Sequence, residues 1–176
     1  MTMRKLVIIG ARALGREVCN YAQDIGISVK GFLDSDPSVL NAFSGYPPVL
    51  SSVEEYTLEN KDVFICALGD SDARKKYVSI IEGKRGEFLS VVHKSAYIGR
   101  NVRIGCGCIV APNVTITADI TIGNHVLINV NSSINHDVVL EDFVSIGPGC
   151  RLIGRNMLRK GMTLRANTTL FADIGK

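Results

Sequence analysis

One spacing constrains this chain more than any other feature. Counting every sixth residue from Val92 gives Val92, Ile98, Ile104, Val110, Ile116, Ile122, Ile128, Ile134, Leu140, Ile146, Leu152, Leu158, Leu164 and Leu170, fourteen aliphatic residues in succession. A helix repeats its buried stripe about every 3.6 residues and a strand every second residue, so a period of six is neither. Four positions after the aliphatic residue stands a second, mostly small or apolar one: Ala96, Val102, Cys108, Val114, Ile120, Val126, Ser132, Val138, Val144 and Cys150. Directly after it often comes Gly or Asn, as at Gly99, Gly105, Gly123, Asn129, Asn135 and Gly147. Those residues tolerate backbone angles that others avoid, which predicts a tight corner there. The pattern therefore predicts a parallel β-helix over 92–176, each hexad being one short strand and one corner. A narrow prism has little room for large rings, in keeping with 6% aromatic residues and no Trp.

The first part of the chain has a different rhythm. Lys5 to Ile9 is a short apolar run ending at Gly10, and Leu14, Val18, Tyr21, Ala22 and Ile25 recur at helical spacing up to Gly26. Strands are predicted at Val29 to Leu33, Asp62 to Ala67 and Phe88 to Val92. Ser52 with Glu55 has the spacing of a capping box and predicts a short helix. Ala73, Tyr77, Ile80 and Ile81 mark another helix, closed by Gly83. Alternating strands and helices predict a Rossmann-like α/β domain over 1–91 with a parallel sheet. Gly10, Asp34 and Gly69 fall at the C-terminal ends of its strands, the edge where open α/β sheets bind ligands. The turn from Gly10 to Gly15 opens a helix, whose free N–H groups favour phosphate. Asp34 follows Gly10 by 24 residues, near the spacing at which an acid takes a ribose hydroxyl. By itself this fingerprint suits NAD as well as a sugar nucleotide, but no hydride-transfer acid or base stands out near the sheet edge.

Charge and cysteine content narrow the classes further. A net charge of +3 is too small to argue for nucleic acid. Residues 1–91 carry 11 basic and 12 acidic side chains, whereas 92–176 carry 9 and 5. No acid lies between Phe143 and Ala172, so Arg151, Arg155, Arg159, Lys160 and Arg165 form an uncompensated basic set suited to phosphates. Five cysteines without CxxC spacing read as reduced residues of a cytoplasmic protein, with no metal site. Leu6 to Ile9 is too short for a targeting core, and no apolar run reaches membrane-spanning length.

Several stretches carry a resemblance. They are Gly10-Ala11-Arg12-Ala13-Leu14-Gly15-Arg16-Glu17, Gly31-Phe32-Leu33-Asp34, Ala67-Leu68-Gly69-Asp70 with Arg74-Lys75-Lys76, and His93-Lys94-Ser95-Ala96. The most specific is Asn129-Val130-Asn131-Ser132-Ser133-Ile134-Asn135-His136-Asp137, continued by Asp142-Phe143-Val144-Ser145-Ile146-Gly147-Pro148-Gly149. With these the chain resembles the hexapeptide-repeat sugar acyltransferases, above all the bacterial UDP-4-amino-sugar N-acetyltransferases and sialic-acid O-acetyltransferases. The resemblance implies a left-handed β-helix with three hexads per coil, a homotrimer, and acetyl-CoA held between neighbouring prisms. It also implies a UDP-sugar acceptor at Gly10, Ala11, Arg12, Asp34, Ser35, Ala67 and Gly69. Departures from the family are Ala13 where a second Gly is usual, Ser145 where relatives often have His, and bulky corner residues Ile153, Arg159, Arg165 and Phe171. The hexads end at Ile174-Gly175-Lys176, where relatives continue into further coils.

Acetyl transfer to an amine or hydroxyl requires a base for the departing proton, and His is the side chain suited to it near neutral pH. Of the three histidines, His93 beside the junction reads as structural and His125 as an outward corner residue. His136 lies in the third slot of its hexad beside Asp137, which suits a base with a supporting acid. Gly154 occupies the same slot one coil on, leaving its N–H open as an oxyanion donor. In the resembling enzymes these positions are base, supporting acid and oxyanion donor, with Ser145, Gly154 and Arg155 expected at acetyl-CoA. The competing readings are an O-acetyltransferase of the sialic-acid type, a trimeric binding protein that has lost catalysis, and an NAD-linked oxidoreductase.

Overall fold

The computed structural model describes residues 4–172. The chain opens with β1 (Lys5–Ile9), α1 (Ala13–Asp24), β2 (Val29–Leu33), β3 (Val49–Ser51), β4 (Asp62–Cys66), α2 (Ser71–Gly83) and β5 (Glu87–Phe88). All five strands run parallel in the order β3-β2-β1-β4-β5. β1 and β4 are buried on both faces, which explains their unbroken apolar sequences. Asp70 caps α2 by accepting the Ala73 N–H at 2.7 Å.

Two local expectations change. Ser52 Oγ does accept the Glu55 N–H at 3.3 Å, as in a capping box, and donates to Glu55 Oε2 at 2.9 Å, but the two residues close a turn rather than a helix. Val53 and Tyr56 are drawn into the core of the sheet, Tyr56 edge-on to Phe64, and this burial outweighs one further turn of helix. The expected strand from Phe88 to Val92 is two strands: β5 pairs with β4, whereas Val91–Val92 pairs with Ile109–Val110.

From Val91 onward the strands stack as three parallel sheets around a triangular prism, an arrangement that fits the left-handed β-helix expected from the hexads. Face 1 contains Val91–Val92, Ile109–Val110, Leu127–Ile128, Ser145–Ile146 and Thr163–Leu164. Face 2 contains Tyr97–Ile98, Thr115–Ile116, Ser133–Ile134, Arg151–Ile153 and Thr169–Phe171. Face 3 contains Arg103–Ile104, Thr121–Ile122, Val139–Leu140 and Met157–Leu158. Ladder partners are a full coil apart, as in Ser133 beside Arg151 and Ile134 beside Leu152. The inward aliphatic residues from Ile116 to Leu158 are buried. Residues 173–176, where the hexads break off in the sequence, lie outside the described residues.

The corners obey a rule other than the expected one. Positive φ falls on the third residue after each aliphatic from Ile98 to Leu164: Asn101, Gly107, Asn113, Asp119, His125, Asn131, Asp137, Phe143, Gly149, Arg155, Gly161 and Asn167. The glycines directly after the aliphatic are small for another reason. A β-carbon at Gly99 would run into the Thr117 carbonyl, and one at Gly105 would stand 2.6 Å from the Gly123 carbonyl oxygen. Gly99, Gly105, Gly123 and Gly147 therefore permit close approach of successive coils, not a left-handed backbone.

The N-terminal sheet and its helices lie on face 1. Outward residues there are buried (Val91 0%, Ile109 1%, Leu127 5%, Ser145 4%), while Tyr97 on face 2 is 63% exposed and Met157 on face 3 is 55% exposed. One apolar cluster runs without interruption from Leu6 and Val18 through Val91 into the prism. The edge between faces 2 and 3, which carries 135–138 and 154–156, is thus the edge farthest from the covered face. Among the described residues no helix is long and apolar enough to cross a membrane.

Candidate active site

His136 and Asp137 meet on that far edge. Asp137 takes the positive-φ position, φ 61°, which turns its side chain back toward its neighbour. Its Oδ2 lies 2.9 Å from His136 Nδ1. A carboxylate accepts, so Nδ1 carries the proton and Nε2 is left as the free lone pair. The two side chains are 60% and 51% exposed, open to an incoming molecule.

Gly154 is buried against the His136 ring with φ 61°. A β-carbon there would stand 2.9 Å from His136 Cε1 and 3.1 Å from Nε2, so any other residue would contend with the imidazole for the same space. The His136 carbonyl accepts the Arg155 N–H at 3.1 Å, and the Gly154 carbonyl accepts Asn156 Nδ2 at 2.7 Å. Among the described residues the Gly154 N–H has no backbone or side-chain acceptor. The sequence thus places His136, Asp137, Gly154 and Arg155 together, and the structure brings them to one edge.

A second concavity lies at the C-terminal ends of β1, β2 and β4. It encloses about 210 Å³, with Gly10, Arg12, Asp34 and Ser35 on its polar side and Leu33, Val53, Leu68 and Tyr77 among its apolar lining. Asp34 organises the turn: Oδ2 accepts the Ala11 N–H at 3.0 Å and Oδ1 the Asp36 N–H at 3.1 Å. Ala11 and Ala67 are buried beneath the cleft, and Gly69 is exposed beside it. Val53, Glu54, Ala73 and Tyr77 also line this cleft and were not among the expected ligand residues, because the turn and helix that carry them showed only structural signals in the sequence.

Three expectations are corrected by the surroundings. Ser145 is not free to meet a ligand: it is buried, accepts from Arg74 Nη2 at 2.9 Å and donates to the Gly69 carbonyl at 3.2 Å. His125 is not an outward residue. It is 3% exposed, stacked on Phe143 with ring centroids 5.0 Å apart and edge-on to Phe88 at 4.8 Å. Burial pushes its pKa down to about 4; Arg74 adds to the depression and Asp142 opposes it. The basic set from Arg151 to Arg165 does not converge. Arg151 is on face 2, Arg155 on the far edge, Arg159 and Lys160 on the edge between faces 3 and 1, and Arg165 on the edge between faces 1 and 2. Glu141 offsets part of it, 3.6 Å from Arg159 Nη1.

His93 is structural, as its position beside the junction suggests. Its Nδ1 accepts the Ser95 N–H at 3.2 Å, and Nε2 faces Asp24 Oδ2 at 3.2 Å. Arg74, named in the sequence only within a stretch of resemblance, is a junction residue whose role there was not foreseen. It is 1% exposed, and its signal was its place at i, i+4, i+7 with the buried Val78 and Ile81 of α2.

Comparison with known proteins adds the following. Residues 5–81 match the family model of the PglD N-terminal domain. GDP-perosamine N-acetyltransferase of Escherichia coli O157:H7 is 28% identical over 94 residues, which is 53% of this chain and 42% of that protein. The chain spans less than half the length of the curated relatives it matches. The acetyltransferase domain of PglB from Neisseria gonorrhoeae FA1090 shares the fold with a TM-score of 0.81 at 22% identity, over 98% of this chain and 94% of that one. A histidine-to-alanine mutant of GDP-perosamine N-acetyl transferase from Caulobacter crescentus, in complex with CoA and GDP-perosamine, gives 0.78 at 26% identity, over 98% of this chain and 85% of that one.

Proposed function

We propose that this chain is a hexapeptide-repeat sugar acyltransferase that transfers the acetyl group of acetyl-CoA to the amine of a nucleotide-linked sugar. The observation that carries this reading is the His136–Asp137 pair set directly over Gly154 on an open edge. His136 Nε2 takes the proton that the attacking amine sheds, and Asp137 stabilises the resulting imidazolium through Nδ1. The Gly154 N–H, without an acceptor among the described residues, is the donor for the charge that gathers on the thioester oxygen. The same imidazolium can return its proton to the departing thiolate, which closes the balance. Arg155, on the same edge, is the residue we assign to the CoA phosphates.

Residues 1–91 serve in this reading as a Rossmann-like acceptor-binding domain and 92–176 as the transfer domain. The strand order β3-β2-β1-β4-β5 and the turn of Gly10 at the head of α1 support a diphosphate at that edge. A UDP-linked 4-amino sugar is the acceptor that the motifs favour; the Caulobacter neighbour, in complex with GDP-perosamine, makes guanosine diphosphate the alternative carrier.

The cleft belongs to the part of the chain packed on face 1, whereas His136 stands on the prism edge opposite that face. That separation supports a homotrimer, in which the cleft of one chain serves the far edge of the next. The test is a thiol-release assay with acetyl-CoA and a panel of UDP- and GDP-linked amino sugars, run on a protein sized by light scattering. Turnover by trimeric protein, lost at least ~10²-fold in kcat in His136→Ala with ligand binding intact, is the expected result. Near-wild-type turnover in that variant, or a monomer at working concentration, sinks the mechanism.

A further inference from the structure

α2 buries one face against the rest of the protein, and that face reads Arg74, Val78, Ile81. An aliphatic residue would suit the first position, and a guanidinium taken out of water there is unfavourable unless its hydrogen bonds are replaced. The bonds are unusually complete. Nε donates to the His125 carbonyl at 3.2 Å, and Nη1 to the Leu68 and Gly69 carbonyls at 2.7 and 3.1 Å. Nη2 donates to the Phe143 and Val144 carbonyls at 2.8 and 3.4 Å and to Ser145 Oγ at 2.9 Å. None of these acceptors is a carboxylate, so the contact is held by directed hydrogen bonds and not by an ion pair.

The two sides of this fork belong to different parts of the molecule. Leu68, together with Ala73 and Tyr77 of the same helix, lines the cleft beyond β1, β2 and β4. His125, Phe143, Val144 and Ser145 belong to the prism, at its edge between faces 3 and 1 and the strand that follows. Two further bonds cross the same seam, Ser145 Oγ to the Gly69 carbonyl at 3.2 Å and Ser71 Oγ to the Gly161 carbonyl at 3.0 Å. Apolar packing resists separation but has little directional preference, whereas a planar fork of five N–H groups fixes an angle.

We propose that Arg74 is a positioning residue, a clamp that fixes the wall of the acceptor cleft at a set angle to the prism so that a nucleotide-tethered amine arrives in attacking position. The proposal rests on the acyltransferase reading. Because misplacement of a reacting group by about 1 Å can cost on the order of 10²-fold in rate, an angular error at the seam is felt in turnover more than in binding.

The test compares wild type with Arg74→Met, which keeps much of the volume, and Arg74→Lys, which keeps the charge but not the fork. Both are checked for native circular dichroism; if Arg74→Met does not fold, Arg74→Lys carries the comparison. We expect kcat for the nucleotide-linked acceptor to fall at least ~10-fold, while its calorimetric Kd and the KM for acetyl-CoA stay within about twofold. Amide exchange is expected to quicken at 69–75 and 123–126, with protection in β1 and β4 unchanged. Wild-type kcat in a folded variant, or a Kd that weakens in step with kcat, overturns the clamp. If the wild type turns over no nucleotide-linked amino sugar, the acyltransferase reading itself fails and the delivery role with it. The two failures are therefore told apart by the wild-type assay alone.

Discussion

Gly154 stands where its missing β-carbon would press on the His136 ring, 2.9 Å from Cε1 and 3.1 Å from Nε2. The proposed base and its proposed oxyanion donor are therefore coupled by space as well as by chemistry. Gly154→Ala adds a methyl against the imidazole and strains a backbone at φ 61°. We expect a stability loss of about 1–2 kcal/mol from the left-handed backbone alone, read as a lower midpoint in urea. We also expect kcat to drop on the order of 10²-fold, since one donor removed or displaced costs about that much. Unchanged kcat would separate Gly154 from the chemistry.

Asp34 holds two backbone N–H groups, that of Ala11 after β1 and that of Asp36 after β2. Asp34→Ala releases both, and orphaned donors cost about 1–3 kcal/mol. The cleft should loosen with them. Nucleoside-diphosphate affinity by calorimetry is expected to fall at least ~10-fold with the prism still assembled. Wild-type affinity would mean that the turn is held by other contacts and that no ligand meets the carboxylate.

Because the basic residues sit on different edges, they predict different effects. Arg155→Glu, beside His136, should weaken acetyl-CoA binding roughly tenfold at low salt, with the difference shrinking as ionic strength rises. Arg165→Glu, on the edge between faces 1 and 2, should change it less than about twofold. Equal effects from the two would point to a general field and not to a site.

The buried His125 makes the fold acid-sensitive. Its native pKa of about 4 lies below the ordinary 6.5, so the unfolded chain binds the extra proton more readily. Stability is then complete above pH 6.5 and declines as pH falls toward 4, by about 3 kcal/mol over that window for this group. Asp142 softens the loss, whereas Arg74 deepens it. Urea melts at pH 7 and pH 4.5 check this. His125→Asn, which accepts the positive φ, should be less stable at pH 7 but flatter in its pH response. An equally steep response in that variant would assign the acid loss elsewhere.

The prism is legible in the sequence because a single inward aliphatic per hexad suffices to define it. His136, Asp137 and Gly154 are legible for the same reason: one coil equals three hexads, so sequence offset becomes spatial contact. Corner chemistry is only half legible. Glycine looks identical whether it serves a left-handed backbone, as at Gly107, or a close approach, as at Gly99. What the period cannot report is what lies against the outside of the prism. His125, Ser145 and Arg74 take their surroundings from the seam on face 1, which depends on residues far away in sequence, and so His125 reads as an outward corner, Ser145 as a contact of acetyl-CoA and Arg74 only as part of a stretch that carries the family resemblance. β3 escapes because three residues behind Pro47 and Pro48 become a strand only through pairing with β2.

The regularity of the stack has a consequence for folding. Each coil offers its neighbour nearly the same ladder and the same inward side chains, so a slip of 18 residues, the spacing of the paired strands, leaves most contacts satisfied. A polymer built only of such coils would have several almost equivalent registers. The unrepeated contacts distinguish them: Tyr21 against His93, Asp24 with His93, and Arg74 with Ser145 occur at one coil each. The N-terminal sheet thus acts as an address for the solenoid, naming which coil is first, and chains in which it docks late should populate misregistered, slowly correcting intermediates.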